Sequence, residues 1–373
     1  MLFTKTEYKE RLIKVQTKMQ KKEIDLLISS DPANMNYLSG YDAHSFYMPQ
    51  CLLIHIKEEE PICFVREQDA GGAVINTNIN EKNIIKYPEK YIHTPPAHPY
   101  EFLVKIIKDR KWDNLSIGLE KDCHYFTATC CEKIVSGLPN ARTKDAEFLV
   151  NWVRCIKSDT EIELMRAAAK IVEKGMKSAI NHIKPGVRQC EAVAEIQKSL
   201  ISGTPEFGGD YAGIVPMLPT GKGTSASHLT WTEEKFIKGE ATIIELAGVY
   251  KKYHCPMART VLLGEPDQKK IDTMKATNEA LDAGISEIKP GKTCDEVAQK
   301  FWKILDKYGI KKNSRTGYSI GIGYPPDWGE HTLNIQKGDK TILQPNITFH
   351  MIAVMQFGNW GVESSEAIRV TEK

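Results

Sequence analysis

The segment 244-IELAGVYKKYHCPMART-260 decides how this chain is read. It opens inside Ala241–Leu246 (ATIIEL), an apolar run of strand length in which Glu245 is the single ionisable group. The chain turns through Gly248 and Tyr250, then returns in an extended segment that finishes on Arg259-Thr260. A buried carboxylate costs several kcal/mol unless it is paired or protonated, so such a group marks either a structural ion pair or a site. Arg259, on the return strand, is the evident structural partner for Glu245. At this point both readings stand.

Bulk composition narrows the class. A chain of 373 residues has room for about two domains. With 26% charged and 41% hydrophobic residues the composition is that of a globular protein, and a net charge of +2 argues against a dedicated nucleic-acid or anionic-membrane surface. No apolar run approaches the ~18 residues a membrane span needs. The N-terminal stretch is amphipathic and mixed in charge, without a signal-peptide core. Nine cysteines, an odd number scattered without C-x-x-C spacing, point to reduced thiols and a cytoplasmic setting.

Along the chain, a helix precedes a strand at Asp25–Ser29, which ends on a turn at Asp31-Pro32-Ala33-Asn34. Strand-like runs follow at Cys51–Ile56, Ile62–Val65 and Leu115–Leu119, with helical patterns between them. That alternation predicts an N-terminal α/β domain over residues 1–155 and a second domain over 156–373. The second opens on a capping box, Ser158 with Glu161, and a helical apolar face of Ile162, Met165, Ala169, Ile171 and Val172. It also repeats itself. His182-Ile-Lys-Pro-Gly186 precedes Cys190-Glu-Ala-Val-Ala194, and Glu287-Ile-Lys-Pro-Gly291 precedes Cys294-Asp-Glu-Val-Ala298. The reading is a duplicated helix–helix–strand unit whose two halves face each other and form a central site between antiparallel sheets.

Besides the opening hairpin, three segments could carry chemistry. The glycine-rich stretch 206-EFGGDYAGIVPMLPTGKGTSASHLTW-231 holds His228 and lacks a P-loop pattern. The stretch 314-SRTGYSIGIGYPPDWGEHT-332 reads as a tight loop whose aromatic residues could wall a pocket around a flat or cationic ligand. In 348-TFHMIAVMQFGNWGVESSEAIRVTE-372, a long hairpin, Glu363 and Glu366 sit three apart on one strand and therefore face opposite sides; at most one shares a pocket with Glu245. Glu245, His254, His331, His350, Glu363 and Glu366 are the raw material for a metal site, but no metal-ligand motif links them.

These segments, in this order, resemble the creatinase/aminopeptidase P family, whose catalytic domain has the pita-bread fold. The resemblance spans the chain and includes Asn36-Tyr-Leu-Ser-Gly-Tyr41 in the first domain. It implies a creatinase-type α/β domain followed by a pita-bread domain with a pseudo-two-fold repeat, and a homodimer. Carried over residue by residue, the peptidases' first metal Asp falls on Glu245, the second on Pro256 and the metal His on Tyr318. The two metal Glu fall near Ile352 and Ser365. One carboxylate in five positions does not hold a hard divalent cation, so the expectation is no metal and no cofactor. Creatinase, a metal-free member, has its catalytic His at His228, but its acids fall at Ala258 and near Ile352.

Longer motifs are similar to a metal-free branch of the family that opens a small cyclic amidine ring. They are Gly40-Tyr-Asp-x-x-Ser-Phe-Tyr47, Phe207-Gly-Gly-Asp-Tyr211, His228-Leu-Thr-Trp231, Tyr253-His-Cys-Pro256, Ser314-Arg-Thr-Gly-Tyr318, Tyr324-Pro-Pro-Asp-Trp-Gly-Glu330 and Thr348-Phe-His350. The resemblance implies Glu245 as nucleophile, with His228 and Glu363 moving protons. It implies substrate contacts from Phe46, Tyr47, Tyr253, Tyr318, Tyr324, Trp328 and His350. Two rival expectations are a hydrolase of the same fold acting on another amidine, guanidine or peptide, and an inactive relative that only binds.

Overall fold

The computed structural model describes residues 2–372. Contacts divide the chain into two compact units, with the division between Arg154 and Cys155.

The N-terminal unit runs α1 (Lys5–Lys21), β1 (Leu26–Ser29), α2 (Pro32–Ser39), β2 (Cys51–His55), β3 (Ile62–Arg66), α3 (Ala70–Asn76), β4 (Ile84–Tyr87), α4 (Pro99–Asp109), β5 (Ser116–Leu119), α5 (Ala128–Gly137), β6 (Arg142–Asp145) and α6 (Leu149–Arg154). Its six-stranded sheet has the order β4-β3-β2-β1-β5-β6 and mixes parallel with antiparallel pairs. Leu26, Ile28, Leu53, Phe64, Ile117 and Leu119 from the strands close over Leu103 and Ile107 of α4. The turn expected at Asp31–Asn34 is instead the start of α2. Asp31 caps the helix by accepting from the Ala33 N–H at 2.8 Å, and Pro32 takes the first turn, where no N–H is needed.

The C-terminal unit runs α7 (Asp159–His182), α8 (Gln189–Ser202), β7 (Ala241–Tyr250), β8 (Tyr253–Leu262), α9 (Gln268–Glu287), α10 (Cys294–Lys307), β9 (Gly317–Tyr324), β10 (Asp327–Asn334), β11 (Thr348–Phe357) and β12 (Trp360–Arg369). The capping box forms: Ser158 Oγ accepts from the Glu161 N–H, and Glu161 Oε2 from the Ser158 N–H. The duplication is visible in backbone conformation. Gly186 and Gly291, the two Pro-Gly stops, have φ of +88° and +86°, a region that favours glycine. Each donates its N–H at 2.9 Å to an equivalent downstream carbonyl, Phe236 in the first copy and Leu343 in the second.

The strands make one antiparallel sheet of order β12-β11-β9-β8-β7, with β10 paired to β9. The halves join where Tyr253 faces Ile322. The 314–332 stretch, expected as an irregular loop, is mostly the β9–β10 hairpin. Its glycines serve close packing: a Cβ on Gly321 would lie 2.3 Å from Glu330 Oε1, and one on Gly323 2.9 Å from the Trp328 backbone.

Candidate active site

Glu245 sits mid-strand in β7, opposite Ala258 of β8. On its other edge the Met217–Glu245 bridge adds the glycine-rich stretch to the sheet, with N–H···O bonds of 2.8 and 3.0 Å in the two directions. The side chain is 8% exposed, and no hydrogen bond or ion pair reaches it among the described residues. Arg259 is committed elsewhere. Its guanidinium donates to Glu366 Oε1 at 2.5 Å and to the carbonyls of Ser365 and Ala258 at 2.6 and 2.8 Å. The structural ion pair that would have explained Glu245 is absent.

The β11–β12 register runs without interruption, Val354 opposite Glu363 and Met351 opposite Glu366. The two acids therefore face opposite sides, as alternation demands: Glu366 binds Arg259 while Glu363 turns toward Glu245. Together Glu245 and Glu363 line a cavity of about 220 Å³ with His228, Ser314, Arg315 and Tyr318; its apolar wall includes Met217, Ile243, Ile352 and Val354. That is smaller than the roughly 300–1,000 Å³ of drug-sized ligand pockets, so the site suits a small molecule.

Both acids are held toward their neutral forms. Burial, then the negative charge of Asp327, pushes Glu245 up to about 7. Burial and the charge of Glu245 push Glu363 well above the ordinary carboxylate range, and Lys312 offsets only part of this. One oxygen of Glu363, Oε1, is buried without any hydrogen-bond partner. Asp327 differs. Burial would raise it, but the His331 ring at 2.8 Å and the N–H groups of Gly329 and Trp328 hold it down to about 2. The result is a fixed anion close enough to raise Glu245 and two carboxyls of divided affinity for protons.

His228 borders the cavity from an exposed loop with φ of +64°, a conformation that is uncommon outside glycine. The segment that leads into it is tied to the β11–β12 hairpin: Gln356 Nε2 donates to Ser227 Oγ at 3.1 Å, and the Gly361 N–H to Thr224 Oγ1 at 2.9 Å.

The other expected site residues are placed differently. Of the aromatic set only Tyr318 lines the cavity. Tyr253, fully buried, donates its hydroxyl to Glu161 Oε1 at 2.7 Å. Tyr324 is buried beside the Lys252 ammonium. Trp328 and His350 stand behind Tyr318 and bond its hydroxyl, the indole N–H at 2.8 Å and His350 Nδ1 at 3.1 Å. These four do not line the cavity, because packing turns them into the interior of the sheet domain. Phe46 and Tyr47 belong to the N-terminal unit, where Phe46 packs edge-on against Tyr125 and Tyr47 is exposed. Ser314, Arg315 and Asp327 were not singled out from the sequence, although each lies within a motif quoted above.

The donor set does not fit a metal pair. Ile352 meets the cavity with an apolar side chain, Ser365 Oγ is bonded to His350 at 2.6 Å, and the Tyr318 hydroxyl already has two neighbours. Among the described residues no three His, Cys, Asp or Glu side chains gather closely enough to hold an ion.

Comparison with known proteins decides the family. Residues 11–156 match the creatinase/prolidase N-terminal domain, and residues 163–372 match metallopeptidase family M24. The chain belongs to the creatinase/M24 family. It is 45% identical to the ectoine hydrolase of Halomonas elongata over 99% of this chain and 94% of that protein. It is 22% identical to the Xaa-Pro dipeptidase of Pyrococcus furiosus over 98% of this chain and 96% of that protein. The prolidase structure from Pyrococcus horikoshii OT3 superposes with a TM-score of 0.82 at 20% identity, covering 98% and 96% of the two chains, which establishes the two-domain pita-bread fold. The family takes its name from metallopeptidases, and the cavity of this member lacks the donors that name implies.

Proposed function

We propose that this protein is a hydrolase that opens the cyclic amidine ring of ectoine to N-acetyl-2,4-diaminobutyrate, with Glu245 as a carboxylate nucleophile and no metal. The observation that carries the reading is a pair of buried acids, Glu245 and Glu363, that line one small cavity and make no ion pair among the described residues. The 45% identity to an ectoine hydrolase names the substrate. A protonated amidine is a flat cation with an electrophilic carbon. Entering the cavity, it supplies the counter-charge that Glu245 lacks and favours the ionised form.

The carboxylate of Glu245 then adds to the amidinium carbon. The tetrahedral adduct collapses by breaking one ring C–N bond, and the departing nitrogen takes a proton from Glu363, which the site keeps protonated. Water adds to the resulting ester-like carbon with His228 or Glu363 accepting its proton. The Glu245–carbon bond breaks, and the acetamide product and free carboxylate are restored. Arg315, on the same wall, is suited to the substrate's own carboxylate. Phe46 and Tyr47 belong to the proposal on sequence resemblance alone, as do the homodimer and the cytoplasmic setting. No helix among the described residues is long and apolar enough to cross a membrane.

The test is turnover by protein treated with EDTA, with acetyl-diaminobutyrate followed by mass spectrometry. Ring opening at full rate in chelator supports the reading. Activity that vanishes with chelator and returns with manganese overturns the metal-free chemistry.

A further inference from the structure

Behind Tyr318 runs a chain of hydrogen bonds whose protons can be assigned one by one. The Ala258 N–H donates to Ser365 Oγ at 2.6 Å, and that oxygen lies 2.6 Å from His350 Nε2. His350 Nδ1 lies 3.1 Å from the Tyr318 hydroxyl, which also receives the Trp328 indole N–H at 2.8 Å. A backbone N–H and an indole N–H only donate, so both ends of the chain are fixed. His350 is fully buried, and burial lowers it to about 3, leaving a neutral ring with one proton to place.

With the proton on Nε2, Ser365 Oγ accepts twice and its own proton meets no acceptor among the described residues. Ser365 is fully buried, so that arrangement carries the desolvation penalty of an unmade hydrogen bond. With the proton on Nδ1, Ser365 gives to Nε2 while Nδ1–H and the Trp328 indole both give to Tyr318, so the one proton left over is the phenol's own and not that of the fully buried serine. The phenol oxygen then has only its own proton to offer, and the side chain that bears it lines the cavity. Among the described residues no protein acceptor is bonded to that proton.

We propose that Ser365 and His350 hold Tyr318 as a one-way hydrogen-bond donor to the ligand, and that it thereby selects cyclic amidines bearing a carboxylate. An amidinium presents N–H donors, which cannot meet a donor; a carboxylate oxygen can. Arg315, whose guanidinium stacks 4.5 Å over the Tyr318 ring, supplies the charge beside it. The cavity thus holds two seats, Glu245 and Glu363 for the cation, Tyr318 and Arg315 for the anion. Ser365 and His350 are positioning residues. The identity of the ligand, though not the proton order, rests on the ring-opening reading.

Two measurements test it. In spectra of ¹⁵N-histidine-labelled protein, His350 should carry its proton on Nδ1, and Ser365→Ala should abolish that preference. With ectoine, Tyr318→Phe should raise KM about ten- to a hundredfold, as expected for a lost hydrogen bond to a charged group, with kcat little changed. Toward the same amidine lacking its carboxylate, the KM penalty of Tyr318→Phe should shrink to a few-fold or less. A His350 proton on Nε2, or an equal loss of kcat on both amidines in Tyr318→Phe, overturns the proposal. Should wild type open neither ring, the ring-opening reading fails, while the histidine spectrum still decides the relay.

Discussion

Glu330 and Glu363 stand on strands of one sheet and are both buried, 1% and 6% exposed. Glu330 meets the Lys157 ammonium at 2.6 Å, and neither side chain of that pair reaches water. The pair is packed against the bare backbone of Gly321, where even a Cβ would lie 2.3 Å from Glu330 Oε1. Glu363 has an oxygen with no partner, a second acid as its neighbour and a cavity in front of it. A buried acid is therefore not a site by virtue of burial. The difference lies in whether the fold itself satisfies the charge. Where it does, the acid holds the structure together; where it does not, the missing partner is the substrate's to provide.

That contrast can be broken at either end. Glu245→Gln should lower ectoine turnover at least about a thousandfold, the scale of removing a nucleophile, with thermal unfolding nearly unchanged. Glu363→Gln should cost about 10²–10⁴-fold in kcat, as for loss of general acid–base catalysis, while stability holds or rises because an unpaired carboxyl has been removed. Lys157→Met should behave in the opposite sense. Stranding Glu330 without its cation should destabilise by about 3–5 kcal/mol in urea unfolding and leave kcat of the folded enzyme within a few-fold of wild type.

A smaller effect is expected in pH dependence. Both cavity acids bind protons more tightly folded than unfolded, so their stabilising contribution is complete below the ordinary value of 4.5 and is lost as pH rises through the folded values, about 7 for Glu245 and well above the ordinary carboxylate range for Glu363. Over that window wild type should lose up to about 1.4 kcal/mol per pH unit per group relative to the double Gln variant. Activity should move the other way on its acid limb, with kcat/KM falling below about 7 as Glu245 gains a proton. The smallest expected change is for Arg315→Met, about tenfold in KM for ectoine with kcat preserved, checked by steady-state kinetics.

Much of this was legible in the residues. The apolar run marked Glu245, the strict alternation along 348–372 put Glu363 and Glu366 on opposite sides so that at most one could share its pocket, and the repeated Ile-Lys-Pro-Gly stops exposed the duplication. The failures share a physical cause. Asp31-Pro32 is both a turn signal and a helix start, and only packing of the helix that follows decides between them. Glycines at 317, 321 and 323 suggested a loop, because the need for a bare backbone against Glu330 and Trp328 arises in the folded hairpin alone. Tyr253 and Trp328 looked like pocket walls, yet their polar atoms are taken by Glu161 and Tyr318. Such partners lie far apart in sequence or across a hairpin, and no local pattern reports them.

The central claim is that Glu245 itself forms a bond to the substrate. The bond is looked for in EDTA-treated His228→Gln protein, which keeps the acid for ring opening and is slowed in hydrolysis of the intermediate, mixed with ectoine and quenched in acid over a time course. The peptide carrying Glu245 should gain the mass of one whole substrate before product appears. Product that accumulates while that peptide stays unmodified at every time point would contradict it.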